Sequence, residues 1–291
     1  IPPINNQQWV ETFELYKQFP EFQKQNYMFT LEEFKNIFFW EYIHRLLGRL
    51  IGLVFIIPFI YFLIKKRLSK KLTLQCTVLL FMGASQGAIG WWMVKSGLVN
   101  NPDVSHFRLA THLITAFLTF SYTFWVALSL IYPNKSHQNK ILHKLSFILM
   151  IVVVIQIIYG AFVAGLGAGK VYNTWPKMNN DWIAESVYAM TPFWSNFVNG
   201  IAGVQFIHRT FAFVVLGLII YIFYQSRKTP LIQLEKNAIN LLLITVFFQM
   251  VLGVITLVLG VPIWLGVIHQ LGAFILLGST VFSIFIFKPT K

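Results

Sequence analysis

Residues 41–67 read EYIHRLLGRLIGLVFIIPFIYFLIKKR and contain the pattern that decides the fold. A long apolar run, 42–64, is followed at once by the basic residues Lys65, Lys66 and Arg67. About 20 apolar residues in an α-helix cross the roughly 30 Å hydrocarbon layer of a membrane, and basic residues collect at the cytoplasmic ends of such helices. The stretch is therefore predicted to be a transmembrane helix whose carboxyl end is cytoplasmic.

Further apolar runs of this kind follow along the chain, at 73–95, 108–131, 144–166, 205–225, 237–260 and 264–287. The composition agrees, because 56% of the residues are hydrophobic and only 11% are charged, whereas soluble domains carry about a quarter charged residues. Lipid offers no hydrogen-bond partner to an open strand. The predicted fold class is an all-α polytopic membrane protein, which excludes a soluble enzyme, a disordered chain and a collagen-like chain.

The net charge of +13 is explained by membrane topology. Most basic residues lie in the loops after alternate helices and at the end of the chain: Lys65, Lys66, Arg67, Lys70, Lys71, Lys135, Lys140, Lys144, Arg227, Lys228, Lys236, Lys288 and Lys291. Glu235 is the acidic residue on this side, which is cytoplasmic by the positive-inside rule. No nucleic-acid partner is predicted. The outer segments 1–38 and 167–203 are amphipathic and are expected to lie on the lipid surface.

An internal repeat divides the chain. EYIHRLLGR at 41–49 matches QFIHRTFAF at 205–213, Gln86-Gly-Ala-Ile-Gly90 matches Gln249-Met-Val-Leu-Gly253, and His112 matches His269. We expect two repeated units, 1–132 and 133–291, of which the second has an additional leading helix at 144–166. The predicted full protein therefore has eight helices, with the first helix of the first unit absent here. Two four-helix units in one orientation are related by an axis along the membrane normal.

Four histidines, His44, His112, His208 and His269, lie one to two turns inside helices that begin at the outer face. A single membrane histidine is often a packing residue, but four that match in pairs indicate function. Each unit offers two imidazoles on parallel helices separated by an antiparallel one, which suits the two axial positions of a haem iron. Zinc would need three or four ligands, normally with cysteine or carboxylate, and the lone Cys76 excludes a thiolate cluster and an internal disulfide. Two bis-histidine haem sites are predicted.

The other histidines carry no such pattern. His137 and His143 lie in a cytoplasmic basic loop and are interpreted as surface residues, and His106 is interpreted as a helix-end residue.

Several polar residues accompany the four histidines. Arg45 and Arg209 each follow the first histidine of a unit, where a guanidinium suits haem propionates; snorkelling to lipid phosphate is the alternative. Gln86, Gln156 and Gln249 lie at a similar depth, each with a glycine four residues later. Such a glycine would let a macrocycle or a neighbouring helix approach, although close helix packing alone also explains it.

The units differ three residues before the first histidine, where the first has Glu41 and the second Gln205. Glu41 shares a helix face with His44 and is placed for acid–base work or for stabilising a cation on the ring. The alternative is a carboxylate that favours the helix dipole. We expect the first unit to perform chemistry and the second to hold a haem that transfers electrons.

The motifs EYIHRLLGR, QGAIGWWMVKSGL at 86–98, RLATHL at 108–113, QFIHR and GVIHQLGA together resemble haem A synthase over essentially the whole chain. The resemblance is to the alphaproteobacterial and mitochondrial branch, which lacks paired loop cysteines. It implies oxidation of the haem O methyl group to a formyl group, through a hydroxymethyl intermediate, giving haem A for cytochrome oxidase. It also implies haem b as cofactor, ligated by His208 and His269, a substrate haem ligated by His44 and His112, and Glu41 as the essential acid.

The implied partners are haem O, haem O synthase and cytochrome oxidase assembly factors. The implied location is the bacterial inner membrane, with the mitochondrial inner membrane as the alternative; high lysine, isoleucine and asparagine usage favours a bacterium. Two other functions stay open. One is a di-haem b transmembrane electron carrier, and the other is a haem transporter or insertion factor.

Overall fold

The computed structural model of the chain describes residues 2–97, 102–133 and 139–289, which are helical apart from loops and one isolated bridge between Met178 and Asp181. The α-helices are α1 (Asn6–Tyr16), α2 (Pro20–Lys24), α3 (Leu31–Ile64), α4 (Lys70–Val94), α5 (His106–Ile131), α6 (Lys140–Gly165), α7 (Ile201–Ser226), α8 (Gln233–Val258) and α9 (Ile263–Phe287). Three short 3-10 helices, Ala168–Lys170, Glu185–Tyr188 and Phe193–Phe197, lie in the segment between α6 and α7.

Helices α3 to α9 are the seven in the described ranges that are long and apolar enough to cross a membrane. They coincide with the seven predicted apolar runs to within a few residues, with one exception, and the predicted fold class is confirmed. Lys135, His137 and Lys291, which the sequence assigns to cytoplasmic segments, lie outside the described residues. The expectation of a further helix upstream stays a prediction.

The exception is α3, which begins at Leu31 rather than near residue 42. A capping box starts the helix early: the Thr30 backbone N–H donates to Glu33 Oε2 at 2.8 Å, and the Glu33 N–H donates to Thr30 Oγ1 at 3.4 Å. These bonds satisfy backbone donors that a helix start otherwise leaves unpaired. The outer segment 1–38 therefore ends inside α3.

The chain separates into two compact units, Ile1–Thr115 and Ala116–Lys291. This division falls inside α5, and the functional division at residues 132/133 stays a prediction. In the first unit α3 packs against α4 and α1. The contact between α1 and α3 is aromatic, because the buried ring of Phe34 meets Trp9, Phe13 and Tyr16 at centroid distances of 6.4, 5.2 and 4.9 Å. Aromatic pairs at this separation add to the apolar burial.

In the second unit α6 packs against α7 and α9, and α8 packs against α7 and α9. Leu149, Leu242 and Leu277 are fully buried between these helices. The hydroxyls of Ser146 and Ser283 lie 2.8 Å apart and join α6 to α9, as expected where small polar residues let membrane helices approach closely. Helices α7 and α9, which carry His208 and His269, are thus held between α6 and α8.

Candidate functional site

His208 and His269 face each other within the second unit. The centroids of their rings are 6.5 Å apart and the ring planes cross at 84°. Metal–imidazole bonds are about 2 Å long and a ring centre lies about 1 Å beyond its nitrogen, so two imidazoles that share one metal have centroids about 6 Å apart. Both Nδ1 atoms are buried without a hydrogen-bond partner among the described residues. The pair therefore fits the two axial ligands of one haem iron.

In the first unit His44 lies on α3 and His112 lies on α5, where the His112 ring rests against Gly90 of α4. His44 is exposed and His112 is half-buried. No three His, Cys, Asp or Glu side chains in the described ranges converge to hold a metal ion. Two imidazoles per unit would suit the two axial positions of a haem iron. His106, by contrast, is the first residue of α5, in accordance with its interpretation as a helix-end residue.

Arg209 holds the outer loop of the second unit. Its Nη2 donates to the carbonyl oxygens of Thr174, Pro176 and Lys177 at 2.9 to 3.0 Å. Nη1 is buried and has no partner among the described residues. One side of the guanidinium is therefore committed to the loop backbone, and only the other side is left for a propionate.

Gln205 anchors the same loop one turn before Arg209. Its side chain is only 2% exposed, and Nε2 donates to the Tyr172 carbonyl oxygen at 3.0 Å. A carboxylate of the same shape lacks this donor. The hydrogen bond to Tyr172 thus gives a structural reason for a glutamine at position 205, in addition to the functional difference from Glu41 that was inferred from the sequence.

Glu41 and Arg45 occupy the equivalent positions of the first unit and pair with each other. Arg45 Nη1 donates to Glu41 Oε1 at 2.7 Å, and the two side chains are 50% and 48% exposed. The pair lies one turn apart on α3, beside His44. A carboxylate and a permanently charged guanidinium therefore lie on α3 within one turn of His44.

Glu21 on α2 is a second carboxylate near this place, which the sequence analysis did not identify. Burial raises the pKa of the Glu21 carboxyl, the negative charges of Glu41 and Asp103 raise it further, and a hydrogen bond from Tyr16 opposes them. Asn26 ties the group together, because its Nδ2 donates to the Tyr16 hydroxyl at 2.8 Å. No spacing in the sequence relates α2 to α3, so only the folded chain reveals this proximity.

Glycines predicted to allow a close approach lie against imidazole rings. A Cβ added at Gly160 would lie 3.2 Å from Cε1 of His208, and one added at Gly253 would lie 2.9 Å from Cε1 of His269. The ring of the histidine, rather than a helix backbone, therefore occupies the space that each glycine leaves.

Comparison with known proteins identifies the family of the chain. A family model described as cytochrome oxidase assembly protein, COX15-CtaA, matches residues 1–281. The chain is 53% identical over 288 residues to a haem A synthase of Flavobacterium psychrophilum, covering 98% of this chain and 85% of the relative. It is 49% identical to that of Flavobacterium johnsoniae, with coverage of 98% and 85%, and 44% identical to that of Nitrosospira multiformis, with coverage of 95% and 79%. The chain therefore belongs to the COX15-CtaA family of cytochrome oxidase assembly proteins.

Proposed function

We propose that the protein is a haem A synthase of the bacterial inner membrane, which oxidises the methyl group of haem O to a formyl group through a hydroxymethyl intermediate. Its bacterial relatives at 44 to 53% identity are haem A synthases, and its seven apolar helices suit an integral membrane enzyme. The observation that carries the proposal is that equivalent positions of the repeat, three residues before His44 and His208, hold an ion-paired carboxylate, Glu41, and a buried amide, Gln205.

Haem b is the proposed cofactor of the second unit, where the imidazoles of His208 and His269 would hold its iron. The ring separation of 6.5 Å supports this assignment. Bound there, haem b would supply one-electron transfer, since two imidazoles leave no open coordination position on the iron. Arg209 holds the outer loop with Nη2 and directs Nη1 into buried space, where a propionate would satisfy it.

His44 and His112 are proposed to hold the substrate haem in the first unit. Each of the two oxidations delivers two electrons to an external electron acceptor. Removing two electrons and a proton from the ring methyl would leave a carbon cation conjugated with the macrocycle, to which water adds with loss of a second proton. A second two-electron oxidation of the hydroxymethyl group, with loss of two protons, gives the formyl group. Glu41 stabilises the positive charge or accepts a released proton. Arg45 lies 2.7 Å from this carboxylate and is proposed to bind a propionate.

Two partners follow from the proposed reaction. Haem O must be supplied by an enzyme that attaches its farnesyl side chain, so haem O synthase is the proposed upstream partner. The haem A produced is proposed to pass to cytochrome oxidase through its assembly factors, in agreement with the family description.

The haems bound by the purified protein test this function. We expect chromatography and mass spectrometry of the extracted haems to show haem b together with haem O, its hydroxymethyl derivative or haem A. Two haem b per chain and no modified haem would support a di-haem electron carrier instead. Unmodified haem O that exchanges with membranes, and never yields an oxidised product, would support a haem transporter.

A further inference from the structure

The second unit contains two equivalent pairs of residues, each formed by a glutamine and the glycine four positions after it. Each pair contacts a histidine of the next helix. Gln156 and Gly160 on α6 contact His208 on α7. Gln249 and Gly253 on α8 contact His269 on α9.

The glutamine holds the backbone of the histidine. Gln156 Nε2 donates to the His208 carbonyl oxygen at 3.0 Å, and Gln249 Nε2 donates to the His269 carbonyl oxygen at 2.9 Å. A helical carbonyl points toward the carboxyl end of its helix, whereas the side chain tilts toward the amino end. On the antiparallel neighbouring helix, the residue that contacts the histidine carbonyl and the residue that contacts the histidine ring are therefore about one turn apart, or about 5.4 Å. The spacing of four residues supplies that turn.

The glycine fixes the place of the ring. An added Cβ would lie 3.2 Å from His208 Cε1 at Gly160 and 2.9 Å from His269 Cε1 at Gly253, both closer than an ordinary contact between two carbon atoms. Each ring edge thus rests on helix backbone, and a methyl group there would displace the ring.

The first unit has only half of this arrangement. A Cβ at Gly90 would lie 3.2 Å from His112 Cε1, so the ring contact is present. The Gln86 amide, however, has no hydrogen-bond partner for either its oxygen or its nitrogen among the described residues. The Thr115 hydroxyl of the same helix donates to the Thr111 carbonyl at 2.7 Å and reaches the His112 carbonyl at 3.1 Å. In the second unit the residue three after the histidine is Gly272, where a Cβ would collide with the Gln249 amide.

We infer that the pairs Gln156/Gly160 and Gln249/Gly253 are positioning residues that fix the imidazole planes of His208 and His269 at their near-perpendicular angle. The inference rests on the proposed function, since it concerns the unit assigned to the resident haem. The two units then differ in how neighbouring helices hold their histidines. In the second unit His208 and His269 are each held at the ring and at the backbone carbonyl, whereas in the first unit His112 is held at the ring alone.

The angle between axial imidazoles has a direct spectroscopic signature. Each ring donates π electron density mainly to the iron d orbital perpendicular to its plane, so perpendicular rings leave two d orbitals nearly equal in energy. A low-spin ferric iron in that condition gives a strongly anisotropic electron paramagnetic resonance signal. Turning one ring toward the plane of the other separates the orbitals and lowers the largest g value.

The test compares glycine and glutamine variants of the purified haem-loaded protein. We expect Gly160→Ala, Gly253→Ala, Gln156→Leu and Gln249→Leu to lower the largest g value and to shift the midpoint potential of the low-spin haem. Gly217→Ala is the matched control, since an added Cβ there meets nothing within 4 Å. Gln225→Leu is the control for the glutamines, since Gln225 bonds to Tyr221 of its own helix.

Each outcome bears on the inference. A variant that loses haem while eluting as a folded monodisperse protein supports it when the controls keep their haem. Unchanged spectra and potentials in all four variants overturn it, as do equal changes in the controls. A wild-type protein that holds no low-spin haem would instead contradict the proposed function, before any variant is compared.

Discussion

Glu41 and Gln205 occupy equivalent positions of the repeat and have nearly the same shape, yet their surroundings differ. Glu41 is half-exposed and paired with Arg45, whereas Gln205 is 2% exposed and donates to the Tyr172 carbonyl. The carboxylate is thus confined to the unit proposed to hold the substrate. In the other unit the amide supports a loop, a task that an ionised carboxylate does not perform.

The substitution Glu41→Gln tests the chemical role of the carboxylate. We expect haem A formation to fall by about 10²- to 10³-fold, the range for removing one group that stabilises transition-state charge, with haem O accumulating in the extract. Haem b content should not change. Glu32→Gln is the control on the same helix, because Glu32 is an exposed partner of Lys35. Wild-type yields from Glu41→Gln in folded protein would disprove the role.

The pH dependence of stability reports on Glu21. Burial and the charge of Glu41 raise its pKa, so the folded chain binds the proton more tightly than the unfolded chain does. This proton binding stabilises the folded chain fully below the pKa of Glu21 in the unfolded chain, about 4.3. The stabilisation is lost as the pH rises through the higher pKa of Glu21 in the folded chain. We expect Glu21→Gln to flatten this part of the stability profile, followed by thermal unfolding in detergent.

Glu41→Gln supplies the complementary measurement. Removing the charge of Glu41 should lower the pKa of Glu21 toward its usual range, because burial then acts with the charge of Asp103 alone. The infrared band of the protonated carboxyl, recorded against pH with Glu21→Gln as the blank, follows this shift. An identical titration in both backgrounds would mean that the two carboxylates do not interact.

At the scale of elements, Gln205 and Arg209 together fasten the outer loop to α7. The substitution Gln205→Glu removes the donor to Tyr172 and buries a carboxyl group, so we expect it to destabilise the second unit by about 1–3 kcal/mol. Thermal unfolding and proteolysis of the loop around residues 172–177 measure the effect. Gln225→Glu, at an exposed site on the same helix, should leave both unchanged.

The helices themselves were predictable because apolar length is a local property of the sequence. All seven runs were located from it, and α3 was misplaced only at its start. There the signal is also local, since Thr30 and Glu33 have the spacing of a capping box. Hydropathy does not mark this start, because the first turns of α3 contain the charged residues Glu32, Glu33 and Lys35.

Contacts between distant segments were not predictable in the same way. The sequence suggested that Arg209 binds propionate, but its contacts to Thr174, Pro176 and Lys177 depend on where a long loop places three carbonyls. The glycines after each glutamine were noticed, yet their partners were not. Whether a glycine faces a lipid, a helix or an imidazole depends on helix rotation, which hydropathy does not encode.

At the scale of the whole molecule, the repeat carries two histidine pairs for which different roles are proposed. The second unit surrounds its pair with buried helices, two glutamine bonds and an anchored loop. In the first, the described contacts beside His44 are the ion pair between Glu41 and Arg45 on the same helix. The contacts that hold the histidines are therefore more extensive in the second unit, as a haem that stays bound requires.

This division of labour predicts an asymmetric response to loss of a ligand. His269→Ala should remove haem b and its low-spin spectrum, because one axial imidazole is lost from a site built around two. His112→Ala should keep haem b at the wild-type ratio per chain but carry no haem O or haem A. His106→Ala, at the start of the same helix as His112, should retain both haems. Haem content is measured by the pyridine haemochrome assay and by chromatography. If His112→Ala and His269→Ala lose haem b equally, the two units do not have separate functions, and the proposed division at residues 132/133 is wrong.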